Sequence, residues 1–281
     1  MDSYQRVVFV VGGECSMVHT RSEREIGLIA QSCQIVADTL EMLSTHVFPG
    51  KSLKTLDTLA EEFIISRGAR PAFKGYMGFP STLCISVDDV VVHGIPTNDV
   101  LKEGQIVGID CGAELNGYYG DHARSFSVGS VNAETTKLLQ ITRESLEKGI
   151  EQAIPGNYVG DIGNAVQNHA ENHGYSVVRE LVGHGIGTEL HEEPQIPNYG
   201  QAKQGYQLRA GMVIAIEPMI NMGKKEIFTG KDGWSVYTKD GQPSAHFEHT
   251  LAITNNGPVV LSQLTKNEVT VDQKQKVENR K

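Results

Sequence analysis

An internal duplication constrains this chain more than any other feature. Pro49-Gly50 recurs as Pro155-Gly156, an offset of 106 residues. The stretch LKEGQIVGID ends at Asp110, and LRAGMVIAIE ends at Glu217, an offset of 107. A chance likeness between amphipathic segments is the alternative, but shared Pro-Gly and carboxylate positions argue against it. The repeat therefore predicts two related halves that face each other across a cleft, with one strand-end carboxylate from each half meeting there.

Two predicted helices open each half. Ser22 and Glu25 have the spacing of a capping box, and apolar residues at helical spacing follow them until the sequence FPGKS. The next helix ends at Gly68, and its counterpart in the second half ends at Gly174. Strands follow each helix pair, so we expect two related α+β halves.

Asn116-Gly117 is a strong hairpin signal, because it lies between apolar and aromatic runs. If these two residues form the turn, paired positions sum to 233, and Asp121 lies opposite Gly112. Asp110 is then the diagonal neighbour of Asp121 on the same face, roughly 7 Å away. A glycine bulge at Gly112 or Gly120 would shift this register.

Carboxylates on one inner face repel each other unless a cation lies between them. Glu217 interrupts the apolar run VIAIEPMI, and Glu248 lies in the strand-like run HFEHTLAIT. The acids Asp110, Asp121, Glu217 and Glu248 with one histidine suit Mn²⁺, Fe²⁺, Co²⁺ or Zn²⁺. Several acids around one cleft favour two ions that share ligands. The alternative is that one aspartate points into solvent.

The histidine comes from the glycine-rich stretch LVGHGIGTELHEEP, which contains His184 and His191. Glycine at this density disfavours a helix. The sequence after His191 begins like the zinc-protease motif H-E-x-x-H, but Pro194 takes its fourth position and no histidine takes the fifth. A helical zinc-protease site is therefore excluded.

These motifs resemble bacterial type I methionine aminopeptidases, which are metallopeptidases with the pita-bread fold. The resemblance extends over about residues 17–262, in the stretches GYMGFPSTLCIS, VVHGIP, IVGIDCGAELNGYYGDHARSF, VVRELVGHGIGTELHEEPQIPNYG, LRAGMVIAIEPM, KDGWSVYTKDG and SAHFEHT. It implies an α+β pita-bread (creatinase/aminopeptidase) fold, with two pseudo-symmetric halves, helices covering an antiparallel sheet and a central dimetal cleft. It implies removal of the initiator methionine by metal-activated water.

The resemblance also implies the site. The metal ligands it indicates are Asp110, Asp121, His184, Glu217 and Glu248. Asp110 and Glu248 correspond to the pair that bridges two ions. Glu217 corresponds to the proton shuttle, and His93 and His191 to histidines that contact substrate. An apolar methionine slot corresponds to Phe73, Tyr76, Phe79, Cys84 and Trp234. Residues 87–89 differ from the family pattern near a monovalent-cation site, so the resemblance leaves that third cation open.

Net charge and cysteine content indicate which partners and which cellular compartment to expect. A net charge of −9 argues against a nucleic-acid binder. The four cysteines form neither a CxxC pair nor a disulfide framework, which favours a reducing cytoplasm. No apolar run is long enough to span a membrane. We expect a cytoplasmic monomer that acts on nascent polypeptide N-termini, including at the ribosome.

We expect a single catalytic domain over residues 17–265. Residues 266–281 read as a polar tail. Residues 1–16 have no counterpart in the family and read as a misassigned start before Met17, with a lipoprotein-type signal as the less favoured reading of VVFVVGG. Two functional alternatives stay open. An X-Pro aminopeptidase or prolidase of the same fold would need an added N-terminal domain. A metal-free binding protein of this fold would have lost ligands.

Overall fold

The computed structural model describes residues 18–264 of the chain. The N-terminal extension 1–16 and the polar tail 266–281 expected from the sequence lie outside the described residues. The helices are α1 (Glu23–Ser44), α2 (Leu53–Ser66), α3 (Ala133–Glu151) and α4 (Val159–Asn172), with a 3-10 turn at Tyr76–Gly78. Within residues 18–264, no helix is long and apolar enough to cross a membrane.

The strands are short, and those described pair in the antiparallel sense. They are β1 (Arg70–Pro71), β2 (Leu83–Val87), β3 (Val90–Val92), β4 (Ile106–Leu115), β5 (Tyr118–Ser127), β6 (Ser176–Val177), β7 (Gly183–Gly185), β8 (Glu192–Ile196), β9 (Val213–Ile216), β10 (Met219–Asn221), β11 (Ile227–Thr229), β12 (Val236–Thr238), β13 (Ser244–His246), β14 (His249–Thr254) and β15 (Gly257–Val260).

Each half has its own main sheet. In the first half, β4 pairs with β1, β2 and β5, and in the second half the order is β15-β14-β9-β7-β8. Of the two smaller sheets, β13-β10-β6 lies in the second half, whereas β11-β12-β3 joins β3 of the first half to strands of the second. Asp110 lies within β4, and Glu217 directly follows β9. The two acids related by the duplication therefore lie within or directly after corresponding strands of the two main sheets.

The hairpin β4–β5 has the predicted register. Its pairs run from Ile106 with Ser127 to Leu115 with Tyr118, so every pair sums to 233 without a bulge. Asn116 and Gly117 have φ angles of 55° and 82°, the left-handed conformation that a two-residue hairpin turn requires. Asp121 lies opposite Gly112, as expected.

The duplication is visible in the backbone. Helices α2 and α4 each have 14 residues. Gly50 and Gly156 have φ angles of 91° and 94°, and Gly68 and Gly174 have 76° and 87°. Glycine tolerates these conformations without the Cβ clash of other residues. The chain therefore makes the same two turns in each half, which explains the sequence signal.

Matching contacts hold these turns. The Gly50 N–H donates to the Leu101 carbonyl at 2.7 Å, and the Gly156 N–H donates to the Leu208 carbonyl at 3.0 Å. Short bridges link Ser52 with Val100 and Tyr158 with Gln207. In each half, the segment just before the main strand thus hydrogen-bonds to the residues that precede the second helix.

Helix α1 begins with the predicted capping box. The Glu25 N–H donates to the Ser22 hydroxyl at 3.3 Å, and the Ser22 N–H donates to the Glu25 carboxylate at 2.9 Å. The helix packs closely on β5, because a Cβ on Gly120 would lie 2.4 Å from the Cys33 nitrogen. Glycine at this position lets the two backbones touch.

Separate apolar cores fill the two halves. The first contains Leu40, Leu56, Ile64, Leu83 and Ile109, and the second contains Leu146, Ile162, Ile214, Ile216 and Leu251. A further apolar cluster, which includes Phe73, Phe79, Cys84 and Leu190, lies beside the cleft. Burial of these side chains fixes each sheet against its helices. The cleft between the sheets holds the buried side chains of Asp121, His184 and Glu248.

Candidate active site

One cavity between the two halves is lined by all the site residues that the sequence predicted. They are Phe73, Tyr76, Phe79, Cys84, His93, Asp110, Asp121, His184, His191, Glu217, Trp234 and Glu248. Val92 and Leu190 complete the lining. Residues separated by as many as 175 positions in the chain thus share one space.

Hydrogen bonds between β5 and the start of β14 bring the acids of the two halves together. The Glu248 N–H donates to the Ala123 carbonyl at 2.9 Å. The Thr250 hydroxyl donates to the Asp121 carbonyl at 2.8 Å, and the Asp121 N–H donates to the Thr250 hydroxyl at 3.3 Å. Asp121 and Glu248 are therefore held by contacts across the seam between the halves.

Burial makes these carboxylates hard to ionise without a cation. Burial raises the pKa of Asp110 to about 7. Burial, with repulsion from Glu248 and Asp110, raises the pKa of Asp121 well above its ordinary value. Burial and neighbouring acids likewise raise the pKa of Glu217 and of Glu248. Such shifts mark groups that need a counter-charge to be anionic together.

Several of their oxygens also lack partners. One oxygen each of Asp110, Asp121 and Glu248 is buried without a hydrogen bond in the described chain. Buried acceptors are normally satisfied, so unpaired oxygens that converge need an explanation. A bound cation accounts for both the missing partners and the raised pKa values.

His184 presents its Nε2 to this cluster. Its Nδ1 lies 2.9 Å from the Gly185 carbonyl, which can only accept, so Nδ1 carries the proton. Burial lowers the pKa of His184 to about 4, so the ring is neutral and Nε2 has a free lone pair. This is the tautomer that a metal-binding histidine uses. Nε2 lies 3.6 Å from the nearer Glu217 oxygen.

The donors fit a metal ion. Ligand atoms of Asp121, His184 and Glu248 lie within 4.8 Å of one another, and all three residues are buried. Asp110 and Glu217 adjoin this trio, and the charge of each raises the pKa of Glu248. Carboxylate oxygens with one imidazole match a borderline divalent cation. The cluster therefore indicates divalent metal binding.

His191 belongs to the cavity by a different set of contacts. Its Nδ1 lies 2.9 Å from the Tyr76 hydroxyl, and its ring contacts the His184 ring at 4.4 Å between centroids. Burial and the neighbouring imidazoles lower its pKa well below the ordinary value. His93 also lines the cavity, where burial lowers its pKa to about 4. Both rings are therefore neutral.

The loop before His191 is held by Glu192, which explains why this acid is not in the cluster. Its carboxylate accepts from Arg21 at 2.6 Å and from the N–H groups of Thr188 and Glu189 at 2.8 and 3.0 Å. Three charge-assisted bonds fix the loop and therefore the position of His191.

Aromatic side chains of one apolar cluster form a further part of the cavity lining. The ring of Phe79 meets Trp234 edge-on, at 5.2 Å between centroids. Asp232 accepts the Trp234 N–H at 2.9 Å, which fixes the loop that carries this residue. Phe73, Phe79 and Cys84 are buried, and burial raises the pKa of Cys84 well above its ordinary value. The slot is apolar and contains a protonated thiol.

His246 also contacts the site, although the sequence analysis did not assign it. Its Nε2 lies 3.8 Å from the second Glu217 oxygen and is buried without a hydrogen-bond partner in residues 18–264. The Ser125 hydroxyl accepts its N–H at 3.0 Å and donates to its carbonyl at 2.9 Å. Its place in SAHFEHT, two residues before Glu248, was the available signal.

Comparison with known proteins identifies the class. A family model for metallopeptidase family M24 matches residues 27–255. The chain therefore belongs to metallopeptidase family M24. It is 49% identical to methionine aminopeptidase 1 of Bacillus subtilis over 248 residues, with 88% of this chain and 100% of the relative covered. It is 50% identical to the methionine aminopeptidase of Clostridium perfringens, with 88% and 99% covered.

Solved structures agree. The crystal structure of methionine aminopeptidase from Rickettsia prowazekii superposes with a TM-score of 0.87 at 42% identity, covering 88% of this chain and all of that one. The prolidase from Pyrococcus horikoshii superposes with a TM-score of 0.72 at 27% identity, and the match covers 65% of its length. These neighbours confirm the pita-bread fold and the resemblance to methionine aminopeptidases, and the X-Pro alternative is not favoured.

Proposed function

We propose that this protein is a methionine aminopeptidase that removes the initiator methionine from nascent proteins whose second residue is small. The observation that carries the proposal is the single cavity in which buried acids and histidines meet an aromatic slot. The two methionine aminopeptidases compared above match 88% of this chain over nearly their whole length. The substrate places the reaction in the cytoplasm, where new chains are made, and the protein acts as a monomer.

In this proposal, the site holds two divalent ions of Co, Mn, Fe or Zn. Asp110, Asp121, His184, Glu217 and Glu248 would hold these ions through their carboxylate oxygens and the imidazole nitrogen. The buried oxygens without partners and the Nε2 lone pair of His184 support this assignment. When bound, such ions lower the pKa of a shared water and polarise the scissile carbonyl.

The side chains then move the protons. Glu217 takes the proton of the attacking water and delivers it to the leaving nitrogen. We assign the Tyr76 hydroxyl, which lies 2.9 Å from the Nδ1 of His191 and whose pKa burial raises, as the protonated donor to that nitrogen. A neutral His191 then carries its proton on Nε2, as a donor for the developing oxyanion. His93 holds the substrate backbone.

The aromatic slot supplies the preference for methionine. Phe73, Tyr76, Phe79, Cys84 and Trp234 line part of the cavity, and they surround the thioether with aromatic and sulfur neighbours. Contacts between sulfur and aromatic rings are favourable by roughly 0.3–1.5 kcal/mol each. The slot also excludes water from the first side chain.

A peptide assay tests the proposal. The protein is supplied with Mn²⁺ or Co²⁺ and offered Met-Ala-Ser and Ala-Pro-Ser as separate substrates. We expect release of methionine from the first peptide and little cleavage of the second. Cleavage of Ala-Pro-Ser alone would overturn the proposal in favour of an X-Pro peptidase.

The variant Asp110→Asn tests the role of the ions in the same assay. Because one of the proposed ligand carboxylates is lost, we expect both Mn²⁺ binding and turnover to disappear. Turnover retained in this variant would contradict the two-ion assignment.

A further inference from the structure

His122 is a buried histidine that lies directly beside the acid cluster but faces away from it. It follows Asp121 in β5, and successive side chains of a strand point to opposite faces of the sheet. Its ring borders a groove of about 880 Å³ whose walls include Ala37 of α1 and Leu139 of α3. It is not among the described residues that line the active-site cavity. Its contacts therefore act on the cluster from behind.

The His122 side chain bonds to the backbone of a second acid of the cluster. Its Nδ1 lies at hydrogen-bond distance from the Glu248 carbonyl oxygen, which can only accept, so Nδ1 carries the proton. The next residue, Ala123, accepts the Glu248 N–H at 2.9 Å. Both backbone polar groups of Glu248 are thus bonded to the strand that carries Asp121.

A second histidine restricts the His122 ring. The ring of His249 stacks on it, with 4.5 Å between centroids and 10° between planes. The His249 Nδ1 lies 2.8 Å from the Ser262 hydroxyl, which accepts the Thr250 N–H at 3.1 Å. Burial and the neighbouring His249 lower the pKa of His122 well below its ordinary value, and burial lowers the pKa of His249 to about 4. Both rings are therefore neutral, and the stack limits the direction of the His122 Nδ1–H.

We propose that His122 is a positioning residue for the metal site, because it orients the Glu248 carboxylate by holding the Glu248 backbone against the strand of Asp121. The inference rests on the proposed function, which takes Asp121 and Glu248 as metal ligands. Asp121 belongs to the first half and Glu248 to the second, so this bond sets the separation of two ligands across the seam. Hydrogen bonds that orient ligands contribute to metal affinity although their donors do not touch the ion.

Two substitutions of similar shape separate the donor from the rest of the side chain. His122→Asn keeps an N–H donor in the position of Nδ1, whereas His122→Leu has no donor. Metal is removed with EDTA, the EDTA is dialysed away, and titration calorimetry then measures the Kd for Mn²⁺. We expect the Kd to rise about 10–100-fold in His122→Leu. We expect His122→Asn to keep a Kd close to that of the wild type.

His122→Phe gives a second measurement of the same bond. Its ring can stack on His249 but cannot donate, so we expect a loss of Mn²⁺ affinity like that of His122→Leu. Urea unfolding without metal checks that each variant is folded. A change in stability alone leaves the Kd of the folded protein unchanged, so the Kd separates positioning from a general structural role.

His173→Leu is the matched control. The His173 Nδ1 lies 2.8 Å from the His169 carbonyl oxygen, and the two rings are 4.7 Å apart between centroids. His173 thus has the same two kinds of contact as His122, but it is exposed at the end of α4. We expect His173→Leu to keep the wild-type Kd for Mn²⁺.

Each outcome has one meaning. Wild-type Mn²⁺ affinity in His122→Leu and His122→Phe would overturn the proposal. So would an affinity in His122→Asn as weak as in His122→Leu, or an equal loss in His173→Leu. The expected pattern of Kd values in a protein that releases no methionine from Met-Ala-Ser would support the positioning role and refute the proposed function. A wild type that does not bind Mn²⁺ would refute both.

Discussion

Buried acids dominate the cavity at the scale of single residues. Asp110, Asp121, Glu217 and Glu248 come close enough for each to disfavour ionisation of another. Such a group of acids lowers the stability of the protein unless protons or cations neutralise it. The site therefore reduces the stability of the metal-free protein, and its pH dependence reveals the arrangement.

Asp110→Asn should stabilise the metal-free protein at high pH. The Asp110 carboxyl keeps its proton up to about pH 7 in the folded state, against an ordinary pKa of 3.8. The folded state thus binds the extra proton between these values, and wild-type stability falls as pH rises through that window. We expect a gain on the order of 1–4 kcal/mol at pH 8, which disappears toward pH 4.

Urea unfolding in EDTA from pH 5 to pH 8 measures this gain. Asp99→Asn, at an exposed aspartate outside the cavity, is the control. An equal pH-dependent gain in that variant, or none in Asp110→Asn, contradicts the assignment of the effect to the buried cluster.

Substitution of His184 and of His191 should have different effects on metal binding and on turnover. His184→Ala removes the Nε2 that faces the acids, and we expect Mn²⁺ affinity to fall at least about 10-fold. His191→Ala removes a group held by Tyr76, so Mn²⁺ affinity should change little while kcat falls roughly 10²–10⁴-fold. Titration calorimetry measures binding, and the Met-Ala-Ser assay measures turnover. Equal loss of Mn²⁺ affinity in both variants would show that His191 is also a ligand.

Close packing between helix and strand decides stability at the scale of elements. A Cβ on Gly120 would meet the α1 backbone at 2.4 Å, whereas a Cβ on Gly27 of the same helix meets nothing within 4 Å. Gly120→Ala should therefore destabilise the protein by about 1–3 kcal/mol, because α1 must move away from β5. Gly27→Ala should stabilise it by roughly 0.5–1 kcal/mol.

Denaturant unfolding of both variants checks the pair. Loss of stability in Gly27→Ala, or none in Gly120→Ala, would show that the close contact between α1 and β5 does not determine the free energy of unfolding.

At the scale of the whole molecule, metal binding between the two halves should stabilise the folded protein. Of the proposed ligands, Asp110 and Asp121 lie in the first half, and His184, Glu217 and Glu248 lie in the second. A ligand that binds only the folded protein stabilises it by about 2.7 kcal/mol at 100 times its Kd. We expect Mn²⁺ to raise the Tm of the EDTA-treated protein, and we expect Asp110→Asn and Glu217→Gln to abolish most of the rise.

Glu193→Gln is the control for the thermal shift. Glu193 lies in β8, near the cavity but outside the acid cluster, so this variant should keep the full rise in Tm. A full rise in Asp110→Asn, or a lost rise in Glu193→Gln, would place the ion elsewhere.

The chain's local patterns predicted much of this architecture. The Asn116-Gly117 turn determined the register of β4 and β5, because a two-residue loop leaves one pairing. The capping box placed the start of α1 at Ser22. The repeated glycines revealed two halves, because left-handed turns accept few other residues. These features depend on neighbours within a few positions, so they can be read along the chain.

The tertiary structure alone decided what meets across the cleft. Residue spacing does not show that Phe79 touches Trp234 or that His246 approaches Glu217. These contacts depend on how the two sheets and their helices pack, which is set by buried surface summed over both halves. The sequence by itself determined which residues could do chemistry, and it placed Asp110 and Asp121 on one hairpin. Packing decided which of them share a cavity, because distances between remote segments follow from the whole fold.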